Sequence, residues 1–158
     1  MNNEKVLLAD AIEVIEEILA GGGEFRMYPK GYSMLPLIVE KRDCVVLVRD
    51  KDRPIQKHDM VFYRRENGQF VLHRVMKIEK DGSYTMCGDH QAILEKNISA
   101  SQVIGRVTKL YRKDKPVDFH SFGYRSYVRV WSCLLLRRPI LLAERILRKI
   151  KRVLKRKK

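Results

Sequence analysis

The sequence predicts a mainly β domain with a short amphipathic helix before it and a basic helical tail after it. β-branched runs alternate with hairpin-type turns in the middle of the chain, a helix-period apolar stripe precedes them, and Lys and Arg accumulate at the end. With 158 residues, 45% of them hydrophobic and 33% charged, the chain is long enough for one domain with a real core. The predicted parts are residues 1–23, 24–120 and 121–158.

A helix is predicted over residues 4–20, because apolar residues recur there at helical spacing and acids occupy the other face. The apolar stripe consists of Leu8, Ile12, Ile15 and Leu19. Three consecutive glycines, Gly21–Gly23, end the helix and form a link. The six charged residues within 4–18 predict that no signal peptide opens the chain.

Five strands are predicted in the central part, over residues 44–48, 60–65, 69–79, 83–87 and 103–112. Asn67-Gly68 and Asp81-Gly82 lie between successive strands, where a tight hairpin turn requires positive φ. Hairpin turns are therefore predicted at these two positions.

The basic tail, residues 121–158, contains 13 basic residues and one acid, so +12 of the formal net charge of +14 belongs to it. From about Tyr124 it is predicted to be helical, with an apolar stripe opposite a basic face. The stripe is Ala143, Ile146, Leu147, Ile150, Val153 and Leu154, and the basic face is Arg145, Arg148, Lys149, Lys151 and Arg152. Such a helix is suited to lie on an anionic bilayer surface, with Trp131 as an additional interfacial residue.

The alternative for the tail is a solvated charged end. Nucleic-acid binding is not expected, since aromatic residues are sparse in the tail and no helix-turn-helix precedes the central domain. The longest apolar run, residues 128–143, is interrupted by Arg137-Arg138-Pro139 and is not predicted to span a membrane. We expect a peripheral, membrane-associated protein that is otherwise cytoplasmic.

The three cysteines, Cys44, Cys87 and Cys133, are widely spaced and form no Cys-x-x-Cys pair. This pattern predicts neither a disulfide framework nor a metal site, and it favours a reducing compartment. No cofactor is expected.

The candidate chemistry lies in three short segments. Ser33 follows a glycine-led bend in "PKGYSMLPLI", and His73 lies between Val71 and Val75 on one face of a predicted strand. Asp89 and Glu95 belong to "GDHQAILE", directly after another strand. Taken singly, each residue has an ordinary explanation, as a turn serine, a core histidine or a solvated carboxylate. The chemical use of His73 would be that of a general base, because the unperturbed pKa of histidine lies near neutrality.

In order and spacing, "GYSMLP", "HDMVFYRR", "VLHRV", "GDHQAILE" and "IGRV" resemble the sequence boxes of the signal peptidase I family. The resemblance covers roughly residues 27–112 and is closer to the archaeal and endoplasmic-reticulum branch. The LexA-type self-cleaving peptidases are related to the same family. It implies a mainly β signal peptidase/LexA-like fold and the activity of a serine endopeptidase that cuts a leader or exported peptide beside a small residue.

The resemblance also implies roles. Ser33 is the expected nucleophile, with its own backbone N–H as the oxyanion donor, and His73 takes the place of the lysine base of the bacterial branch. Asp89 and Glu95 map onto the acids that support the base. The second acid is usually aspartate, so Glu95 is a departure, and Asp89 is expected to matter more. Gly31 occupies a position that carries a hydroxyl in some relatives and supplies none here.

Two other functions fit the sequence. A LexA-like regulatory peptidase would cut its own chain, for which Ala20-Gly21 is the suitable bond. A non-catalytic module would use the fold to bind and the tail to attach to a membrane surface.

Overall fold

The computed structural model describes residues 3–50 and 52–156, without the side chains of residues 3–10, 145 and 148–156. Part of the predicted tail pattern therefore lies outside the described side chains, as does Leu8 of the first helix. The tail positions concerned are Arg145, Arg148, Lys149, Ile150, Lys151, Arg152, Val153 and Leu154.

The described chain forms one antiparallel eight-stranded sheet and three α-helices, which confirms the mainly β prediction. Helix α1 (Asn3–Ala20) precedes β1 (Phe25–Met27), β2 (Asp43–Val48), β3 (Met60–Arg64), β4 (Phe70–Ile78), β5 (Tyr84–Cys87) and β6 (Glu95–Ile98). A short 3₁₀ turn (Ala100–Gln102), β7 (Val103–Arg112), β8 (Lys115–Pro116), α2 (Phe122–Ser132) and α3 (Leu134–Arg156) follow. The strand order is β1-β2-β7-β3-β4-β5-β6, with β8 paired to β7.

Alternation along the central strands sends side chains into two separate cores. Phe62 and Leu72 point into the larger core, whereas Val61, Tyr63 and Val75 belong to the smaller one. This follows from the period of two in a β-strand. His73, directly opposite Val61 in the β3–β4 register, therefore lies on the face of the smaller core.

Helix α1 packs on the sheet through its predicted apolar stripe. Ile12, Ile15 and Leu19 are buried in the larger core. Burial of a side chain such as Leu19 contributes about 1.5–3 kcal/mol. The close approach of α1 to the sheet at Leu19 depends on Gly105, because a Cβ added to Gly105 would lie 3.0 Å from Leu19 Cδ1. The first helix is thus part of the folded domain and its glycine link is short.

The five predicted strands are present with small changes at their ends, and three strands were not predicted. These are β1, β6 and β8, each of four residues or fewer.

The predicted C-terminal helix is two helices. Ser121 caps α2 by accepting the N–H of Tyr124, and the chain leaves the helix at Cys133 before α3 begins. Pro139 lies inside α3 and does not end it. Val128 of α2 and Arg137 of α3 are buried, so both helices pack on the sheet. Among the described helices, none combines the length and the apolar character needed to cross a membrane.

Candidate active site

Ser33 lies in the loop between β1 and β2, and three features hold that loop in place. Gly31 has φ +90°, a left-handed conformation that favours glycine, and its N–H donates to Glu40 Oε2 at 3.0 Å. Met34 and Ile38 anchor the loop in the larger core. Ser33 itself is half-buried. The serine is therefore presented from a fixed loop, as the glycine-led bend predicts.

His73 is held inside the protein next to two oxygen atoms. Its Nδ1 lies 3.2 Å from Glu95 Oε1 and 3.2 Å from the Tyr63 hydroxyl, and its side chain is 1% exposed. Burial lowers the pKa of His73 to about 4, although the nearby charge of Glu95 acts to raise it. The imidazole is thus neutral at neutral pH. A proton on Nδ1 is then donated to Glu95, which leaves Nε2 as an acceptor.

Glu95 is the first residue of β6, and its carboxylate is surrounded by donors. Arg65 donates Nε–H to Oε2 at 2.7 Å and Nη2–H to Oε1, and the Tyr63 hydroxyl donates to Oε2 at 2.8 Å. Burial alone would raise the pKa of Glu95, but the hydrogen bonds from Arg65 and Tyr63 outweigh it and lower that pKa. An ionised carboxylate therefore faces His73.

These contacts require strong curling of the sheet. Three strand spacings separate β3 from β6 in the strand order, which is roughly 14 Å in a flat sheet. Tyr63 of β3 and Arg65 just beyond it nevertheless touch Glu95 of β6 directly. The register shifts between Val75 and Lys77 and between Tyr84 and Met86 mark bulges of the kind that bend a sheet.

Asp89 does not contact His73. Its carboxylate accepts Nε–H and Nη2–H of Arg74 at 2.9 and 2.7 Å and the Tyr127 hydroxyl at 2.8 Å. The side chains of Asp89 and Arg74 are each 1% exposed. Asp89 is engaged in a buried ion pair, and the acid in contact with His73 is Glu95. Which of the two acids matters more for activity stays a prediction.

The turn that contains Asp89 does reach the serine loop. The His90 N–H donates to the Ser33 carbonyl at 2.7 Å, and a Cβ added at Gly88 would lie 2.6 Å from that same oxygen. The Gly88–His90 turn therefore packs backbone to backbone on Ser33. Within the described chain, the Ser33 N–H donates to no group and the Ser33 hydroxyl makes no hydrogen bond to His73.

The C-terminal helices hold the other side of the Gly88–His90 turn. Trp131 Nε1–H donates to the Asp89 carbonyl at 2.7 Å, and the Trp131 ring stacks on Tyr127 with centroids 5.5 Å apart. Arg137, fully buried, donates to the Gly88 carbonyl at 3.2 Å and to Cys87 Sγ at 3.0 Å. The first part of the basic tail is thus built into the site. Trp131, expected at a membrane interface, is instead bound to the turn.

Sequence reasoning did not assign roles to Tyr63, Arg65, Tyr127 and Arg137. A signal existed for the first two, because Tyr63 lies on the His73 face of the adjacent strand and Arg65 is two residues further on. For Tyr127 and Arg137 the sequence contains no such indication. They belong to the basic tail, and an arginine in a basic helix is normally exposed.

A cavity of about 270 Å³ opens beside Ser33. Its wall is mostly apolar and is formed by the serine loop and by the faces of β3 and β4. The lining residues include Met27, Met34, Ile38, Phe62, Phe70 and Leu72. The cavity is suited to an apolar side chain next to a bond presented to Ser33.

The described residues contain no group of three His, Cys, Asp or Glu side chains arranged to hold a metal ion. In comparisons with known proteins, the chain matches no protein-family model and no curated protein sequence.

Proposed function

We propose that the protein is a serine endopeptidase of the signal peptidase type, in which Ser33 is the nucleophile, His73 the general base and Glu95 the acid that orients the base. The observation that carries the proposal is the contact between Nδ1 of a buried, neutral His73 and the ionised Glu95. A serine hydroxyl needs an adjacent base to react at neutral pH, and the base needs a partner that fixes its tautomer.

In the proposed reaction, Ser33 Oγ attacks the carbonyl carbon of the scissile bond while its proton passes to His73 Nε2. Glu95 stabilises the resulting imidazolium through the Nδ1–H. The unbonded N–H of Ser33 donates to the oxyanion, a contribution of about 3 kcal/mol in comparable sites. His73 then gives the proton to the leaving amine. Water hydrolyses the acyl-serine by the same steps in reverse order, which regenerates the hydroxyl.

The substrate we propose is a leader or exported peptide with a small or apolar residue at the cleaved bond. The apolar cavity beside Ser33 supports this, because it offers little polar partner for a charged side chain.

We also propose that the end of the basic tail binds an anionic membrane surface. Leu135, Leu142, Ile146 and Leu147 of α3 are 81%, 58%, 51% and 58% exposed, on a helix rich in Arg and Lys. Apolar side chains that are flanked by cations are suited to the headgroup region of an anionic bilayer.

Self-cleavage at Ala20-Gly21 is the less favoured alternative. Ala20 is the last residue of α1, the Gly21 N–H still donates to the Glu17 carbonyl at 3.0 Å, and Leu19 is fully buried. Peptide bonds are cut in extended conformation, so this segment would have to leave the core first.

The direct test is covalent labelling by a fluorophosphonate, which reacts with activated serines. We expect one adduct on the full chain, located at Ser33 by peptide mass spectrometry. Labelling should be lost in Ser33→Ala and His73→Ala and retained in Ser101→Ala, a matched exposed serine. A folded protein that takes no label, and that cuts none of a peptide library with small residues at the scissile bond, would point to the non-catalytic module instead.

A further inference from the structure

A second cavity, of about 690 Å³, lies between α2 and strands β3 and β7 and shares no lining residue with the cavity beside Ser33. Five basic residues and one acid line it. The basic residues are Arg53, Lys57, Arg106, Arg125 and Arg129, and the acid is Asp59. With the histidines neutral, the lining carries a net charge of +4.

The one carboxylate is already occupied. Asp59 accepts Nη1–H and Nη2–H of Arg53 at 2.9 and 3.1 Å, and the Gln56 N–H at 2.8 Å. It therefore neutralises Arg53, and the lining holds no further carboxylate for the other four cations of the cavity.

Arg106 is the most buried of those four cations. Its side chain is 12% exposed, and its single polar contact in the described chain is Asp50, at 3.4 Å. Burial and the neighbouring charge of Arg53 both lower the pKa of Arg106. A guanidinium has five N–H donors, so most of the donors of Arg106 are unused in a place where its positive charge is disfavoured.

Helix α2 adds two cations from the opposite wall. Arg125 and Arg129 are four residues apart and so lie on one face, where like charges repel each other. Helix α2 contains no acidic residue, and neither guanidinium has a polar partner in the described chain. An anion in the cavity would relieve the repulsion on both walls at once.

Part of the wall is apolar. Val128 is buried there, and the rings of Phe119 and Tyr124 stack with centroids 4.7 Å apart. The volume is also far larger than a free inorganic anion fills. The lining thus combines guanidinium forks, which fit phosphate oxygens, with a surface for an apolar group.

We propose that this cavity binds the phosphate group of a phosphate ester that also carries an apolar part. The headgroup region of an anionic phospholipid has this chemistry. The inference is independent of the peptidase proposal, because it uses none of the residues around Ser33. A soluble phosphate ester offers the same chemistry, and the two sources are separated by experiment.

The first experiment is calorimetric titration of the full chain with monomeric dihexanoyl phosphatidic acid and, separately, with inorganic phosphate. We expect saturable binding of one phosphatidic acid per chain, stronger than that of inorganic phosphate. Arg125→Gln/Arg129→Gln should weaken it roughly tenfold or more, because hydrogen bonds to charged groups are lost. The control Lys80→Gln/Lys115→Gln removes two exposed charges outside the cavity and should bind like the unaltered chain.

Vesicle flotation separates the two sources. If Arg125→Gln/Arg129→Gln also lowers recovery with phosphatidic acid vesicles, the natural ligand is a lipid headgroup. If only the soluble titration is affected, the cavity is assigned to a soluble phosphate ester. Equal weakening in the control variant, or no saturable binding by the folded full chain, would overturn the proposal.

Discussion

Oε1 of Glu95 lies 3.2 Å from Nδ1 of His73, although the two residues stand on β6 and β4 with β5 between them. Arg65 and Tyr63 also donate hydrogen bonds to this carboxylate, so its position relative to the imidazole is fixed by its contacts with three side chains. Of the two acids that the sequence left as alternatives, Glu95 contacts the imidazole and Asp89 pairs with Arg74.

We expect Glu95→Gln to lower kcat more than Asp89→Asn does, and Asp89→Asn to lower the melting temperature more. Glu95 stabilises the proposed imidazolium, whereas Asp89→Asn leaves the charge of Arg74 buried and unpaired, at a cost of about 3–5 kcal/mol. Peptide cleavage and thermal unfolding of both variants check this. If Asp89→Asn reduces kcat more at full folding, the orienting acid is Asp89.

Ser33→Ala and His73→Ala should each reduce kcat by about 10⁴-fold or more, and the double variant should be no worse than either. In the proposed mechanism the two residues act as one unit, so the second substitution removes nothing further. The measurement is single-turnover cleavage of a confirmed peptide, with circular dichroism as the folding control. Additive losses would mean that the two residues act separately.

Activity should rise with pH at values well below the ordinary histidine range, because burial lowers the pKa of His73 to about 4 and the base works when neutral. We expect kcat/KM to be near its plateau by pH 6. If the pH–rate profile instead gives an apparent pKa close to 6.5, the prediction is wrong, and the imidazole is hydrated in solution.

The same lowered pKa has a consequence for stability. Between its folded value of about 4 and its unfolded value of 6.5, His73 is protonated only in the unfolded chain, so the free energy of unfolding increases with pH by roughly 3 kcal/mol across this window. Urea unfolding between pH 4.5 and 6.5, in the full chain and in His73→Gln, isolates the effect. His58, whose pKa is also lowered by burial, is present in both proteins and cancels. An unchanged slope in His73→Gln would contradict the assignment.

Arg137→Met should strongly reduce peptide cleavage, whereas Arg138→Met should not. Arg137 is buried and donates to the Gly88 carbonyl, and its neighbour Arg138 is exposed. The two variants each remove one positive charge, from adjacent positions. A difference between their cleavage rates therefore measures the effect of the contact between Arg137 and the Gly88–His90 turn. We expect the loss in kcat, with KM little changed. Equal activity of the two variants would show that the turn keeps its position without α3.

Ile146→Ser/Leu147→Ser should reduce flotation with anionic vesicles, because it removes exposed apolar side chains from the proposed membrane face. Ile93→Ser, which removes an even more exposed apolar side chain from the sheet domain, is the control. Flotation should also weaken with salt, since exposed charges are screened beyond about 8 Å at physiological ionic strength. Equal recovery of all three proteins would exclude α3 as the contact.

Local patterns predicted the long elements well. Runs rich in β-branched residues between turn signals located β2, β3, β4, β5 and β7, and helical spacing located α1 and the start of the C-terminal helices. The missed strands are short. The segment "EKNI" of β6 has no apolar alternation that would predict a strand, and its pairing is set by the partner strand β5.

The candidate site was predictable only in part. Ser33 and His73 were predicted from the combined order of their segments, but which acid contacts His73 depends on curvature accumulated over four strands. No spacing in the sequence encodes that curvature. The same holds for Trp131 and Arg137, whose contacts with the Gly88–His90 turn bridge more than 40 residues.

The absence of a side chain at Gly88 has a practical consequence. Any other residue there would put a Cβ 2.6 Å from the Ser33 carbonyl oxygen, a distance that real Cβ atoms essentially never show, so the serine loop and the turn would have to move apart. Gly88→Ala would then misplace the hydroxyl while leaving every reacting group chemically intact. For the proposed peptidase, such a variant is expected to keep the apolar cavity while cleaving slowly, which makes it suitable for capturing the peptide substrate.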